Sequence, residues 1–289
     1  MTPKARRATW GAAFVVPALA AIALFQLYPI LFSFFVSLND YDLLSPPVFV
    51  GLKHYLALPG DQAFLNSLKV TVFYVAFTIG PVLLVSFLLA WALTVVTRSR
   101  PAWRVLLFLP SVLPIVSVAL TWKLLFNFQG PLNDLVATFG GKPVPWLTNS
   151  TWAPWALIIM SWWHAVSYYM IIFLAGLLAI PRDVYEAAEM DGARGLAMLR
   201  NITLPMMRPT IALAVVLSTV NGLKTFAFQQ IMTDGGPAGA TQILTLLIYK
   251  TSFSYLDMGR ASAYSTVLFL GILAISLAQI WLLSDRRAD

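Results

Sequence analysis

The sequence predicts an all-α polytopic membrane protein: six transmembrane helices, with a polar loop on the cytoplasmic side between the fourth and the fifth. Three observations carry this. First, 59% of the 289 residues are hydrophobic and 11% charged, whereas ordinary soluble domains are about 45–50% apolar and about 25% charged. Second, six apolar runs, roughly 11–38, 67–97, 105–127, 152–180, 210–231 and 260–283, reach the length of about 20 residues that a helix needs to cross the hydrocarbon core. Third, the basic residues segregate. If the runs alternate across a membrane, 12 of the 19 Lys and Arg fall on one side and five on the other. Basic residues are retained on the cytoplasmic face, so the richer side, with both termini, is expected there.

The first run follows MTPKARRATW, a basic start that resembles a secretory signal. Its uncharged stretch to about Leu38 exceeds the roughly 7–15 residues of a signal's apolar region, so a retained first span is expected. Lys4, Arg6 and Arg7 precede it. Arg98, Arg100 and Arg104 lie between runs two and three. Arg182, Arg194, Arg200 and Arg208 lie between runs four and five, and Arg286 and Arg287 end the chain. Pro81, Pro110 and Pro114 fall inside spans, where proline bends a helix and frees carbonyls, tolerable only where protein or a cavity faces them. Trp146, Trp152, Trp155, Trp162 and Trp163 crowd the outer end of run four and read as an interfacial belt that anchors the helix. The apolar piece TQILTLLIY at 241–249 is too short to cross and is expected to lie at the interface or on a neighbouring span. No internal repeat and no polar segment long enough to fold alone is present, so residues 1–289 are expected to form one domain.

Composition also excludes function classes. The net charge of +7 forms no continuous basic face, which argues against nucleic acid. With no cysteine and two histidines, disulfides and thiolate metal sites are excluded and a zinc site is not expected. HExxH, GxSxG and GxxxxGK[ST] are all absent; GPAGATQ at 236–242 lacks the Lys and Ser/Thr of a phosphate-binding loop. No catalytic residue is therefore expected, and this chain cannot itself cradle ATP phosphates. All twelve acids lie in loops or at termini, whereas proton-coupled carriers generally need buried carboxylates or histidines. His164, with no acid near it in sequence, reads as a polar residue in a helix interface. A carrier driven by an ion gradient, coupled through carbonyls, remains the alternative.

Polarity within the spans concentrates in run five, STVNGLKTFAFQQIMTDGGP. Asn221, Lys224, Gln229 and Gln230 are the candidate substrate-pathway residues. Asn221 and Lys224 are three apart and share a helix face. Lys224 either faces a water-filled path or snorkels to the outer surface.

The most charged stretch is EAAEMDGARGLAMLRNITLP, residues 186–205. Asp183 and Glu186 have capping-box spacing, so a short helix is expected to start there. Gly192 is placed to end it in a left-handed conformation. A second short helix is expected from Arg194 to about Asn201, with Thr203 capping the fifth span and Pro205 and Pro209 breaking the backbone. The acids at 186, 189 and 191 argue against a helix lying on anionic lipid; a slim, capped, protruding helix suits a socket on a soluble partner.

EAAEMDGA…ITLP closely resembles the EAA loop of the permease subunits of bacterial ABC importers. The match runs through Glu186, Ala187, Ala188, Asp191, Gly192 and Ala193 to Ile202, Leu204 and Pro205. FVGLKHYLAL at 49–58, FLNSLKVTVFY at 64–74 and TDGGPAGAT…LLIYKTSF at 233–253 resemble the sugar-permease form, the branch with maltose- and glycerol-phosphate-type permeases. Gly195 and Leu199 depart from the pattern, standing where family members often carry an aromatic residue. The resemblance implies a subunit of the bacterial inner membrane that pairs with a second, similar permease and sits on two ATP-binding subunits. It implies cargo received from an extracytoplasmic binding protein, with the EAA helix docked in a cleft of one ATPase. ATP and Mg would be used by that partner and no cofactor held by this chain. The implied cargo is a sugar, oligosaccharide or polyol phosphate.

Overall fold

The computed structural model describes residues 14–95 and 100–283. Lys4, Arg6, Arg7, Arg98, Arg286 and Arg287, with the outermost ends of the first and second apolar runs, lie outside the described residues, as does the side chain of Arg100. The architecture is helical, as expected. α1 (Phe14–Val36), α3 (Gln62–Val95), α7 (Trp152–Ala179) and α13 (Met258–Leu283) are long and apolar enough to cross a membrane. So is the stretch Arg208–Met232, which is built from α10 (Arg208–Lys224) and α11 (Ala227–Met232). α4 (Arg100–Val112) and α5 (Ile115–Leu125) pass the same test only as a pair. The described residues thus hold five such helices, or six if the bent pair counts as one span.

Two of the six runs are interrupted. The third turns by 91° between α4 and α5. Pro114, which disfavours a helical conformation at the residue before it, itself sits at ψ 129°, and Leu113 belongs to neither helix. The fifth is broken at Thr225 (ψ 146°) and Phe226 (φ −154°) without any proline. The carbonyl released there accepts a 2.6 Å hydrogen bond from Thr245 Oγ1.

The chain divides into two compact units. The first comprises residues up to Phe64 and Leu247–Phe269; the second comprises Leu65–Leu246 and the chain from Leu270. In the first unit, Asn39–Asp40 (β1) pairs antiparallel with Val48–Phe49 (β2), followed by the short α2 (Lys53–Ala57). Asn39 is buried and donates to Phe35 O at 2.5 Å, while its own carbonyl lies 3.2 Å from His54 Nε2. A Cβ on Gly259 would collide with that carbonyl and come within 2.7 Å of His54 Nε2, so only glycine lets α13 approach. Asp40 is held below the ordinary carboxylate range, chiefly by the hydrogen bond from Lys53 at 2.7 Å. The Tyr264 hydroxyl donates to Asp61, and its ring stacks on Phe64 at 5.3 Å.

In the second unit the core gathers on α7, with Met170, Phe173, Leu174 and Leu177 buried against Val82, Phe87 and Ala90 of α3 and Ala214 of α10. The tryptophans are only partly the expected belt. Trp152 and Trp163 are exposed, but Trp155 packs edge-on against Phe73 and Phe77. Trp146 packs on Phe126 and donates to Asn133 Oδ1. Trp162 Nε1 donates to Phe77 O at 2.9 Å. That carbonyl is the one Pro81, four residues on, cannot serve, so α3 runs through its proline unbroken. The 241–249 piece begins α12 (Leu244–Phe253), and Leu244 N donates to Thr71 Oγ1 of α3 at 2.8 Å, which places it on a neighbouring span.

Candidate transport site

Helical periodicity assembles the polar centre of the second unit. On α3, Tyr74, Thr78 and Val82 recur every four residues. On α7, Ser161, His164, Ala165, Tyr168 and Tyr169 follow the i, i+3, i+4, i+7, i+8 pattern, and on α10 Ser218, Asn221 and Gly222 share a stripe. The three stripes line one cavity of about 280 Å³, closed by Thr225 and Phe228 at the break in the fifth run. Ser161 Oγ donates to Leu157 O at 2.7 Å, which spends its only proton. The 2.6 Å contact with Tyr74 is therefore donated by the tyrosine hydroxyl. Asn221 Nδ2 donates to Tyr169 Oη at 3.3 Å, and the His164 ring meets Phe228 edge-on at 5.3 Å.

Of the four residues singled out in the fifth run, Asn221 alone lines this cavity. Lys224 ends α10 and is exposed. Gln229 is fully buried, and among the described residues neither amide atom has a partner of full hydrogen-bond geometry. Gln230 lines a second cavity of about 440 Å³ with Lys123, Asn127, Trp146 and Asp234. There Lys123 Nζ donates to Ile231 O at 2.9 Å, capping the end of α11. The sequence reading missed the hydroxyls of Tyr74, Thr78, Ser161, Tyr168, Tyr169 and Ser218. Their signal was present as hydroxyl residues at helical spacing in otherwise apolar runs.

The polar loop folds as two helical pieces joined at an elbow. α8 (Arg182–Met190) starts at Pro181 without any side-chain cap. Asp183 is thus inside the first turn and no capping box with Glu186 forms; its charge still favours the helix N-terminus. The other end is as expected. Gly192 has φ +83°, its N–H bonds Glu189 O at 3.0 Å, and Ala193 N–H reaches back to Ala188 O at 2.9 Å. This is the Schellman closure that favours glycine. Ala188 is buried, whereas Glu186, Ala187, Asp191 and Gly192 are exposed, and Met190 is 89% exposed. Ala193, Ile202, Leu204 and Pro205 are half-buried.

The second piece differs from expectation. It starts at Leu196, not Arg194, because Gly195 takes φ 55°, ψ −120°. It continues through a π-helical turn, Leu199–Thr203, to Met206. Thr203 does not cap the fifth span: it is buried in that turn, with its hydroxyl 3.3 Å from Tyr185 Oη and 3.4 Å from Met198 O. Gly195 and Leu199, the two departures from the family pattern, both border a cavity of about 370 Å³ shared with Trp91, Arg182 and Tyr185.

Comparison with known proteins agrees with this geometry. Residues 83–288 match the family model described as the inner membrane component of binding-protein-dependent transport systems. The trehalose/maltose transport system permease protein MalF of Thermococcus litoralis is 32% identical, the alignment covering 96% of this chain and 94% of that protein. The lactose transport system permease protein LacF of Rhizobium radiobacter is also 32% identical, over 96% and 95%. In fold, the chain is similar to a solved bacterial ABC transporter involved in the import of the acidic polysaccharide alginate, with a TM-score of 0.85 and 22% identity over 98% of each chain. A matching family model over most of the chain, an apolar helical bundle and a polar cavity at a broken helix lead to one conclusion: the protein belongs to the binding-protein-dependent transport system inner membrane component family, the permeases of ABC transporters.

Proposed function

We propose that the chain is one of two permease subunits that together form the path of an ATP-driven carbohydrate importer. ATP and Mg would be bound and used by a separate pair of ATPase subunits, and cargo delivered by an extracytoplasmic binding protein. Both termini and residues 181–207 would lie in the cytoplasm, a reading supported by the skew of basic residues and by an even span count with the bent α4–α5 pair taken as one. The names of the relatives support a sugar or oligosaccharide as cargo. Family membership leaves no support for the alternative of an ion-gradient carrier.

The single observation that carries this reading is the exposed helix α8, closed at Gly192 and showing Glu186, Ala187, Met190 and Asp191 outward. We assign the ATPase contact to that face, with Ala188, Ala193, Ile202, Leu204 and Pro205 holding it to the body. Asn221 would contact cargo directly; Gln230 serves the second cavity, and Lys224 and Gln229 flank the break between them. Gly192→Asp tests the reading. No atom lies within 4 Å of a Cβ built there, and the left-handed conformation costs a non-glycine residue about 1–2 kcal/mol, little beside a packed bundle. Insertion into the membrane should stay at the wild-type level while uptake falls to background and the ATPase subunits fail to co-purify. Full uptake with an intact ATPase complex would make the loop an ordinary surface connector.

A further inference from the structure

We infer that the groove between α3, α4 and α7 holds one tail of an anionic phospholipid, with the lipid's phosphate on Arg104. The groove encloses about 630 Å³. Pro81 and Leu89 line it from α3, Leu106 and Pro110 from α4, and Trp162 and Val166 from α7, with no charged side chain in the described lining. From Pro81 to Leu89 it follows α3 for about 12 Å, at about 1.5 Å per residue. One leaflet of the hydrocarbon core is about 15 Å deep, so the groove suits a tail from a single leaflet. A helix about 10–12 Å across would fill this volume in little more than one turn. A hydrocarbon tail, at about 4 Å between contacting carbons, fits along its length.

Apolar fit alone does not choose a lipid, because a tail that enters the groove exchanges one hydrocarbon contact for another. The choice is made at the headgroup. Arg104 stands on α4 one turn before Leu107, which lines the groove, so the two share a helix face. The Arg104 Nε is buried and has no hydrogen-bond partner among the described residues. A buried donor in a folded protein is met by an acceptor, and the guanidinium fork matches the paired oxygens of a phosphate. Trp103 beside it is 46% exposed, an amphipathic ring of the kind that sits at headgroup level. The stretch from Arg98 to Arg104 carries three arginines and no acid. It favours a lipid of net negative charge over a zwitterion whose ammonium offsets its phosphate.

The test uses the assembled complex in nanodiscs of mixed phosphatidylethanolamine and phosphatidylglycerol. Each lipid in turn carries a photoreactive diazirine in its tail, and the labelled peptides are identified by mass spectrometry. Phosphatidylglycerol is expected to label residues 106–113 and 162–167, and phosphatidylethanolamine about ten-fold less, the scale of one charged hydrogen bond. Arg104→Gln should remove that preference. Leu109→Trp fills the groove and should block labelling by both lipids. Because Leu109 is 50% exposed, this variant remains informative should Arg104→Gln fail to insert. Equal labelling by the two lipids, a preference that survives Arg104→Gln, or labelling unchanged in Leu109→Trp would each overturn the assignment. So would an unlabelled groove, the result expected if the second permease subunit is seated there instead. None of these results bears on ATPase co-assembly, on which the importer reading stands.

Discussion

Two proline-containing stretches of the second unit behave in opposite ways. Pro81 lies inside α3, and the helix runs through it for 34 residues. Pro114 lies between α4 and α5, and the chain turns by 91°. Both remove a backbone donor. At Pro81 the orphaned carbonyl of Phe77 is met by the indole N–H of Trp162 on α7. At Pro114 a second proline, Pro110, stands one turn earlier, and the N–H missing from Pro114 would have served Pro110 O. Among the described side chains no comparable donor bonds either carbonyl there. The difference teaches that a proline in a span sets a demand, which a donor on the neighbouring helix can meet, as Trp162 does at Phe77 O.

The largest expected effect comes from Pro114→Ala, which restores a donor and lets Leu113 enter the helical region. Spin labels on cysteines introduced at Val105 and Leu124 suit this cysteine-free chain. A right-angle bend places these backbones about 19 Å apart and a straight helix about 28 Å apart, at about 1.5 Å per residue. Dipolar spectroscopy should read a lengthening; an unchanged distance would show that tertiary packing alone holds the bend. Next is Trp162→Phe, which keeps the ring and removes the donor. Leaving Phe77 O unmet should cost about 1–3 kcal/mol, read as a lower Tm of the detergent-solubilised protein. Adding Pro81→Ala returns an N–H to that carbonyl and should recover most of the loss. Failure of the second change to rescue the first would break the comparison. The smallest effect is expected at the break that has no proline. Thr245→Val removes the hydroxyl on Thr225 O and should cost about 1 kcal/mol, with hydrogen exchange rising around residues 225–227 and not along α7.

Much of the fold was legible from hydropathy, since each apolar run of the sequence returns as a helix or a helix pair. What a hydropathy pattern could not carry was direction. The 91° turn and the break at Thr225–Phe226 depend on which distant groups meet freed carbonyls, and Thr245 and Trp162 announce no such role by their own neighbours in sequence. The loop shows the same division. Gly192 was placed correctly because a left-handed helix end is a local demand. Asp183 was misplaced as a cap because the helix is entered at Pro181, two residues earlier than the acid spacing suggested. Asn221 was found by its polarity within an apolar run. The hydroxyls around it were passed over because single Ser, Thr and Tyr residues in spans usually bond their own helix, as Ser218 does to Val215 O.

The Lys123 bond to Ile231 O has a mechanical consequence. It joins α5 to α11, two helices that pack on each other, each lying just beyond an interruption in its own span. Two interruptions would ordinarily act as independent hinges. Tied together on their far sides, they are not independent: a displacement of α5 about residues 113–114 would load the Lys123–Ile231 bond and so α11, whose Phe228 borders the cavity beside Asn221.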